Sequence, residues 1–467
     1  MWGSRPTAKS FHSKRDWHRW SRRWGRSLSL SWRTRIGSLQ SVRLIMSSRW
    51  SPHPRYRLYT TRASYTVPLF NARDSVERFE TEVCRRFNVA AAACVPMARM
   101  GLFFALREMI RPGQKVILSP LTIVDVVNAV LLAGGVPVFA DIVRRSCAID
   151  IDKAYSLIDG STAALLLTHL HGETAGANPF REICQRRGLR LIEDSAQAFG
   201  AIECGQRLGT IGDAGIYSFG LYKNLTTWRG GMVVSNDVAL IERIRRRVRQ
   251  LPQLPKWHLL IRMLGGFAVD VATCPSVFAT FIHPLVRQNF GIINRQLNPE
   301  RDATRWTEVP KNYLRRMRES QALIGIGQLD RVDLDALRRI EHAGLYHDVL
   351  GGLDGIMTPQ RCSDLSNVYT YFPIQITNRD NLLRYAQERR RDFAAQHLRN
   401  CAALPMFSEF HRDCPNARAA ARELVLLPTY SRYPASEVKR NIEIIREFFS
   451  AMIYGAPKET ASGVSRA

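Results

Sequence analysis

GLRLIEDSAQAFG at residues 188–200 and IYSFGLYKNL at 216–225, closed by Gly230-Gly231, carry the reading of this chain. Leu189–Ile192 is a short apolar run after a helix-stopping Gly188, which predicts a buried strand. That strand ends in Glu193-Asp194. A second run, Ala214–Phe219, reaches Ser218, and Lys223 follows Ser218 by five residues. Alone, a Lys before Asn is usually a solvated surface residue, and an Asp after a strand is usually a helix cap. The ordered set of carboxylate, serine, lysine and glycine pair is far more specific.

Working outward, apolar runs alternate with helical segments. Asp74, with Glu77 three residues on, predicts a capped helix whose Val76, Phe79, Val83 and Phe87 share a face. A second helix is expected at Leu102–Ile110, a strand at Val116–Leu118, a helix at Thr122–Leu132, and strands at Val136–Ala140, Ala163–Leu167 and Met232–Val234. Pro179–Arg187 reads as a helix. Short strands alternating with helices predict an α/β fold with a mainly parallel sheet, buried on both faces. Functional groups in such sheets gather beyond the carboxyl ends of the strands. That rule points at Asp194 and the loop after Phe219.

Residues 251–310 break this rhythm and form an apolar insertion. The segment 257–286 is apolar but interrupted by Arg262, Asp270 and Pro275, which allows a helical piece packed on the body or a peripheral membrane contact. A long helix is expected from Asn312 through Gln328. The expected organisation is a basic N-terminal extension at 1–65, a large α/β domain at 66–310, a smaller C-terminal α+β domain at 311–455 and a disordered tail at 456–467. Tyr369–Ile376 is the clearest strand of the smaller domain, and Val438–Phe449 its last helix.

The 467 residues carry a net charge of +26, of which residues 1–65 supply +14. That extension, with six of the nine tryptophans, reads as a basic arm, a transit-like segment, or upstream sequence ahead of a native start at Met46; the last is preferred. Nucleic acid is therefore not the expected partner. Nine cysteines without a Cys-x-x-Cys pair argue against a zinc site or a disulfide framework and for reduced thiols in the cytoplasm.

A lysine amine in a partly desolvated pocket forms an imine with an aldehyde. A carboxylate can hold the ring nitrogen of pyridoxal 5'-phosphate protonated, and a serine hydroxyl can take a phosphate oxygen. On these residues, and on PGQKVILSPLT at 112–122, AGGVPVFADI at 133–142, THLHG at 168–172, ESQALIGIGQL at 319–329 and CPNA at 414–417, the chain resembles the DegT/DnrJ/EryC1/StrS family of pyridoxal-phosphate-dependent sugar aminotransferases over about residues 67–455.

The resemblance implies an aspartate-aminotransferase-like fold (fold type I) and a homodimer. It implies that Lys223 binds the cofactor aldehyde and shuttles a proton, that Asp194 pairs with the pyridinium, that Gln197 approaches the ring hydroxyl and that Ser218 binds phosphate. It further implies amino transfer, usually from glutamate, to a keto sugar on a nucleotide, in cell-envelope polysaccharide or natural-product biosynthesis. Four positions depart from the family pattern. Pro96-Met97-Ala98 stands for Ser-Gly-Thr at the phosphate, which leaves Arg99 either as replacement charge or as a solvated arginine. Ile123 replaces the stacking aromatic, Arg229 the Glu before Gly-Gly, and Leu314 an Asn that commonly serves the partner subunit's site. These changes leave a non-catalytic or regulatory member as the alternative. His169 and His171 follow a strand, where substrate contact or a structural role would fit.

Overall fold

Seven apolar segments pair into one sheet because each is too short and too hydrophobic to stand in water alone. The structure, a computed structural model, describes residues 51–66, 73–288, 303–362 and 364–454. The chain divides into units 1–51 and 52–467, and the sheet with everything packed on it belongs to the second. Most of the N-terminal extension (1–50) and the C-terminal tail (456–467) lie outside the described residues.

Helix α1 (Ser75–Phe87) leads into strand β1 (Ala91–Val95), and helix α2 (Ala98–Met109) follows. Then come β2 (Lys115–Leu118), α3 (Val124–Leu132), β3 (Val136–Phe139), β4 (Thr162–Thr168), β5 (Arg190–Asp194), β6 (Ala214–Ser218) and β7 (Gly231–Ser235). The spatial order is β1-β7-β6-β5-β4-β2-β3. Only β7 runs against its neighbours; the pairs from β6 to β3 are all parallel. The α/β class and mainly parallel sheet are therefore the observed ones. Because β7 is reversed, its first residue lies at the edge where β5 and β6 end, and Gly230-Gly231 meets Asp194 and Ser218 there.

Strand β1 has no signal in the sequence, since Ala91-Ala92-Ala93-Cys94 shows no alternation; all five of its residues are buried. Asp74 occupies the cap position of α1 but adopts a left-handed backbone (φ 53°) and makes no side-chain cap. The Glu319 carboxylate accepts the Val76 N–H at 2.9 Å instead, so the cap comes from a distant helix. The helix expected from Asn312 begins only at Glu319: Lys311–Tyr313 is a single tight turn.

The insertion forms helix α4 (Lys256–Ala272) and a run of shorter turns to Gln288. One face of α4 packs on the body: Leu259 and Met263 are buried with Leu58 and Trp228. Gly266 is required here, since a Cβ would lie 2.1 Å from the Trp228 ring. Packing thus reaches N-terminal of the expected boundary at residue 65. Leu58 is 1% exposed, and Thr60 and Tyr65 donate to the Asp270 carboxylate of α4.

After helix α5 (Glu319–Leu329), the C-terminal part builds a second core around a three-stranded antiparallel sheet of Phe372–Gln375, Leu424–Leu427 and Ala394–Ala395. Arg399-Asn400 pairs with Leu121-Thr122, joining this part to the segment just before Ile123.

Candidate active site

The carboxyl ends of β1, β2, β5 and β6 and the start of β7 surround a cavity of about 250 Å³. Lys223, Asp194, Ser218, Met97, Ala98 and Ile123 all line it. Six of the seven sequence-derived site residues thus share one wall system. Gln197 is not among the lining residues. Its Oε1 accepts the His171 N–H at 2.9 Å, and its carbonyl accepts from Thr370 Oγ1, so it ties the loop after β4 to the C-terminal part.

Asp194 Oδ1 accepts the Ala196 N–H at 3.1 Å, which fixes the carboxylate at the strand end. Burial pushes its pKa up; the Ala196 hydrogen bond and the charge of Lys223 pull it partly back. Burial pushes the Lys223 amine down, the Asp194 charge raises it, and Arg99 lowers it further. The two groups sense each other across the cavity that both line and do not form an ion pair. Asn224 holds the Lys223 loop in place: its amide donates weakly to the Gln197 carbonyl, and its Oδ1 accepts from Thr370 Oγ1 at 3.1 Å.

Helix α2 starts at the cavity without a side-chain cap, because Met97 has no hydroxyl or carboxylate. Its first N–H groups therefore point toward the cavity end as a ready anion seat. Gly231 permits the approach of β7, since a Cβ there would lie 2.6 Å from the Ala98 nitrogen. Arg99 is not a solvated arginine. It pairs with Asp125, donates to the Tyr313 hydroxyl at 3.2 Å, and lies 5.2 Å from that ring's centroid.

Arg229 is 7% exposed, donates to the Asn312 carbonyl, and has a buried Nε without a partner. Its pKa is pulled down to about 10, by burial first and then by Arg262. Arg262 reaches the same cavity from α4. Three guanidinium groups therefore wall a cavity whose lining contains one carboxylate, Asp194. Sequence reading missed Arg262, for it lies on the insertion. It also missed His397, which burial and the Lys223 charge push down to about 4. No spacing signal links position 397 to 223; the pairing of Arg399-Asn400 with Leu121-Thr122 does so.

His169 and His171 both take the structural role. His169 is fully buried, accepts the Ala175 N–H at 3.1 Å and lies 3.0 Å from Glu193. Glu193 in turn accepts the N–H groups of Gly209, Ile211 and Gly212. His171 is packed against Gln396, and burial pushes it down to about 3. A larger cavity of about 430 Å³ beside His283 and Arg390 holds no comparable nucleophile and facing acid.

A buried amine, a facing carboxylate, a serine, an uncapped helix start and arginines form the donor set that an aldehyde-bearing aromatic phosphate requires. The residues fit pyridoxal phosphate. The α-carbon space left at Gly230 and Gly231, where a Cβ would strike Met317 or Ala98, keeps the floor of the site free of side chains.

Comparison with known proteins agrees. The model of the DegT/DnrJ/EryC1/StrS aminotransferase family matches residues 68–446. GDP-perosamine synthase of Vibrio cholerae is 26% identical over 393 residues, covering 81% of this chain and 91% of that protein. UDP-N-acetyl-3-dehydro-alpha-D-glucosamine 3-aminotransferase of Acidithiobacillus ferrooxidans is 28% identical over 377 residues, 79% of this chain and 86% of that protein. Among solved structures, the sugar aminotransferase CalS13 of Micromonospora echinospora superposes with a TM-score of 0.66 at 23% identity, covering 84% of this chain and 99% of its own. DesV of S. venezuelae gives 0.64 at 26% identity, with 83% and 93% covered.

Proposed function

The chain belongs to the DegT/DnrJ/EryC1/StrS aminotransferase family and is a pyridoxal-phosphate-dependent aminotransferase; from that premise we propose that it transfers an amino group, from a donor such as glutamate, to a keto sugar carried on a nucleotide. The setting is cell-envelope polysaccharide or natural-product biosynthesis, and the assembly a homodimer. The observation that carries this reading is the coupled pair Lys223 and Asp194 in a cavity walled by Arg99, Arg229 and Arg262. The relatives that act on GDP- and UDP-linked sugars support the acceptor class. So does the arginine wall, because guanidinium forks suit phosphate oxygens.

Pyridoxal phosphate, when bound, supplies an aldehyde and an electron-accepting ring. This chain's residues supply the rest. Lys223 has a lowered pKa, so more of it is the neutral, nucleophilic amine at neutral pH than for an exposed lysine. The same amine, when free, would be placed to take up and return the proton that amino transfer moves. The Asp194 carboxylate lies on the cavity wall, where it would partner a ring-nitrogen proton. Ser218, the N–H groups at Ala98 and the Arg99 guanidinium would hold the phosphate, and Ile123 would stand where an aromatic otherwise stacks. Arg229 and Arg262 then remain for the anionic carrier of the acceptor.

The retained pair at 194 and 223 favours turnover over the non-catalytic alternative, which rested on the altered phosphate motif and Arg229. The test is the absorbance of the purified protein loaded with pyridoxal phosphate, before and after glutamate, followed by addition of nucleotide-linked keto sugars. Bleaching by glutamate and recovery with a keto sugar are the expected results. A spectrum indifferent to amino donors would overturn the reading.

A further inference from the structure

Helix α4 shows the body one face and solvent another. Trp257, Leu260, Ile261, Leu264, Phe267 and Val271 recur at three- and four-residue spacing and are 43–59% exposed. They form a single apolar stripe from Trp257 to Val271, on a different face from the buried Leu259, Met263 and Gly266. The stripe continues past the break after Ala272, where Phe281 is 65% exposed. Scattered exposed apolar residues need no explanation, but a contiguous stripe of this length marks a contact surface.

The charges around the stripe identify the partner. Between residues 255 and 288 the cations are Lys256, Arg262 and Arg287, and the sole acid is Asp270. The Asp270 carboxylate is turned inward, accepting from Thr60 and Tyr65. Arg262 is turned to the cavity, so the exposed face is apolar, with Lys256 and Arg287 as its cations and no outward carboxylate from this segment. A second copy that set this stripe against itself on a twofold axis would bring basic border to basic border with nothing to pair it. An anionic lipid surface answers both features: acyl chains take the stripe and headgroups take the cations. Among the described residues no single helix is long and apolar enough to cross a bilayer; α4 and the piece after it reach that length and hydropathy only as a pair bent by 68°.

We propose that α4 and the turns after it dock this protein on the surface of an anionic membrane. Arg262 lies on the same helix and lines the cavity. Docking through the opposite face therefore leaves Arg262 in the cavity. The inference does not depend on the acceptor being a nucleotide sugar.

The test is sedimentation of the full-length protein with vesicles of phosphatidylglycerol and phosphatidylcholine, against phosphatidylcholine alone. The basic residues 1–50 can bind anionic vesicles by charge, so two helix-specific readouts are needed. Leu260→Glu with Leu264→Glu should lower partition onto the mixed vesicles by about tenfold or more, the scale of losing two buried leucines. Lipids brominated in the acyl chains should quench wild-type tryptophan emission more than that of Trp257→Phe. This comparison stands if the double variant fails to fold. Equal partition of the double variant, or equal quenching of Trp257→Phe, would overturn the proposal. So would a lipid-free dimer, seen by light scattering, that the double variant dissolves while vesicle binding is nil.

Discussion

Asp194 and Lys223 face one cavity and perturb each other through space without closing into an ion pair. Burial works against the charge on both. It drives the carboxyl up and the amine down, and each group's charge partly restores the other's. A direct salt bridge would have quenched both groups. The Ala196 N–H fixes the carboxylate on one side and Asn224 anchors the lysine loop on the other.

Asp194→Asn removes the charge that raises the Lys223 pKa, so the amine should become still less basic. Borohydride trapping of pyridoxal phosphate, followed by peptide mapping, should still mark Lys223, with its pH profile shifted to lower pH. The glutamate half-reaction should fall by about 10²–10⁴-fold, the usual span for a lost proton-transfer partner. A full-rate half-reaction in this variant would show that the carboxylate serves some other purpose.

Arg99→Gln tests whether this arginine replaces the missing Ser-Gly-Thr. The N–H groups at the start of α2 remain, so binding should weaken but persist. Removing one charge-assisted contact costs about 1.5–3 kcal/mol, so affinity for pyridoxal phosphate should drop by about ten- to a hundredfold. Pyridoxal, which lacks the phosphate, should bind the variant and the parent alike. Spectral titration with the two compounds reads the difference directly.

The strand ends and the lysine loop were legible because buried parallel strands announce themselves as short apolar runs, and their carboxyl ends place Asp194 and Ser218 by rule. Element bounds drifted where a tertiary partner decides them. Helix α2 begins at Ala98, earlier than Leu102, because its first turn is seated against β7 through Gly231. Asp74 looks like a cap in sequence, yet Glu319 does the capping from a distant helix. Arg262 reaches the cavity from an insertion, and His397 comes within the field of Lys223 from the C-terminal part; no local pattern encodes either meeting. Gln197 sits in the most recognisable motif of the chain, but its side chain is engaged by the His171 backbone.

Gly266→Ala should unseat α4. The added Cβ would meet the Trp228 ring at 2.1 Å, and that ring is itself held by the Ser64 carbonyl at 3.1 Å, so it has little room to yield. Overpacking of this kind costs about 1–3 kcal/mol. The expected result is a lower urea midpoint together with weaker binding of nucleoside diphosphates, since Arg262 moves with the helix. Gly265→Ala, which meets no atom within 4 Å, is the matched control. Equal behaviour of the two variants would mean that α4 rests on the body more loosely than its packing indicates.

Acid should destabilise the fold through its buried neutral histidines. Burial holds His171 and His397 neutral, with pKa values lowered from 6.5 to about 3 and about 4. Below pH 6.5 the unfolded chain binds protons at both that the folded chain refuses. Their contribution is thus intact above pH 6.5 and is lost as pH falls through the window from 6.5 toward 3, at up to about 1.4 kcal/mol per pH unit for each histidine. Glu173 and Glu80, whose carboxyls burial pushes up, act in the opposite sense and favour the fold as pH falls. A variant isolates the histidine part. His171→Gln keeps an acceptor for the Gln396 amide but cannot be protonated, so its urea midpoint between pH 6.5 and 4 should fall less steeply than the parent's, while the two curves run parallel above pH 7. Parallel curves through the acid range as well would mean that His171 is protonated in the fold without cost, and that its neutral contact with Gln396 is not what holds the loop after β4.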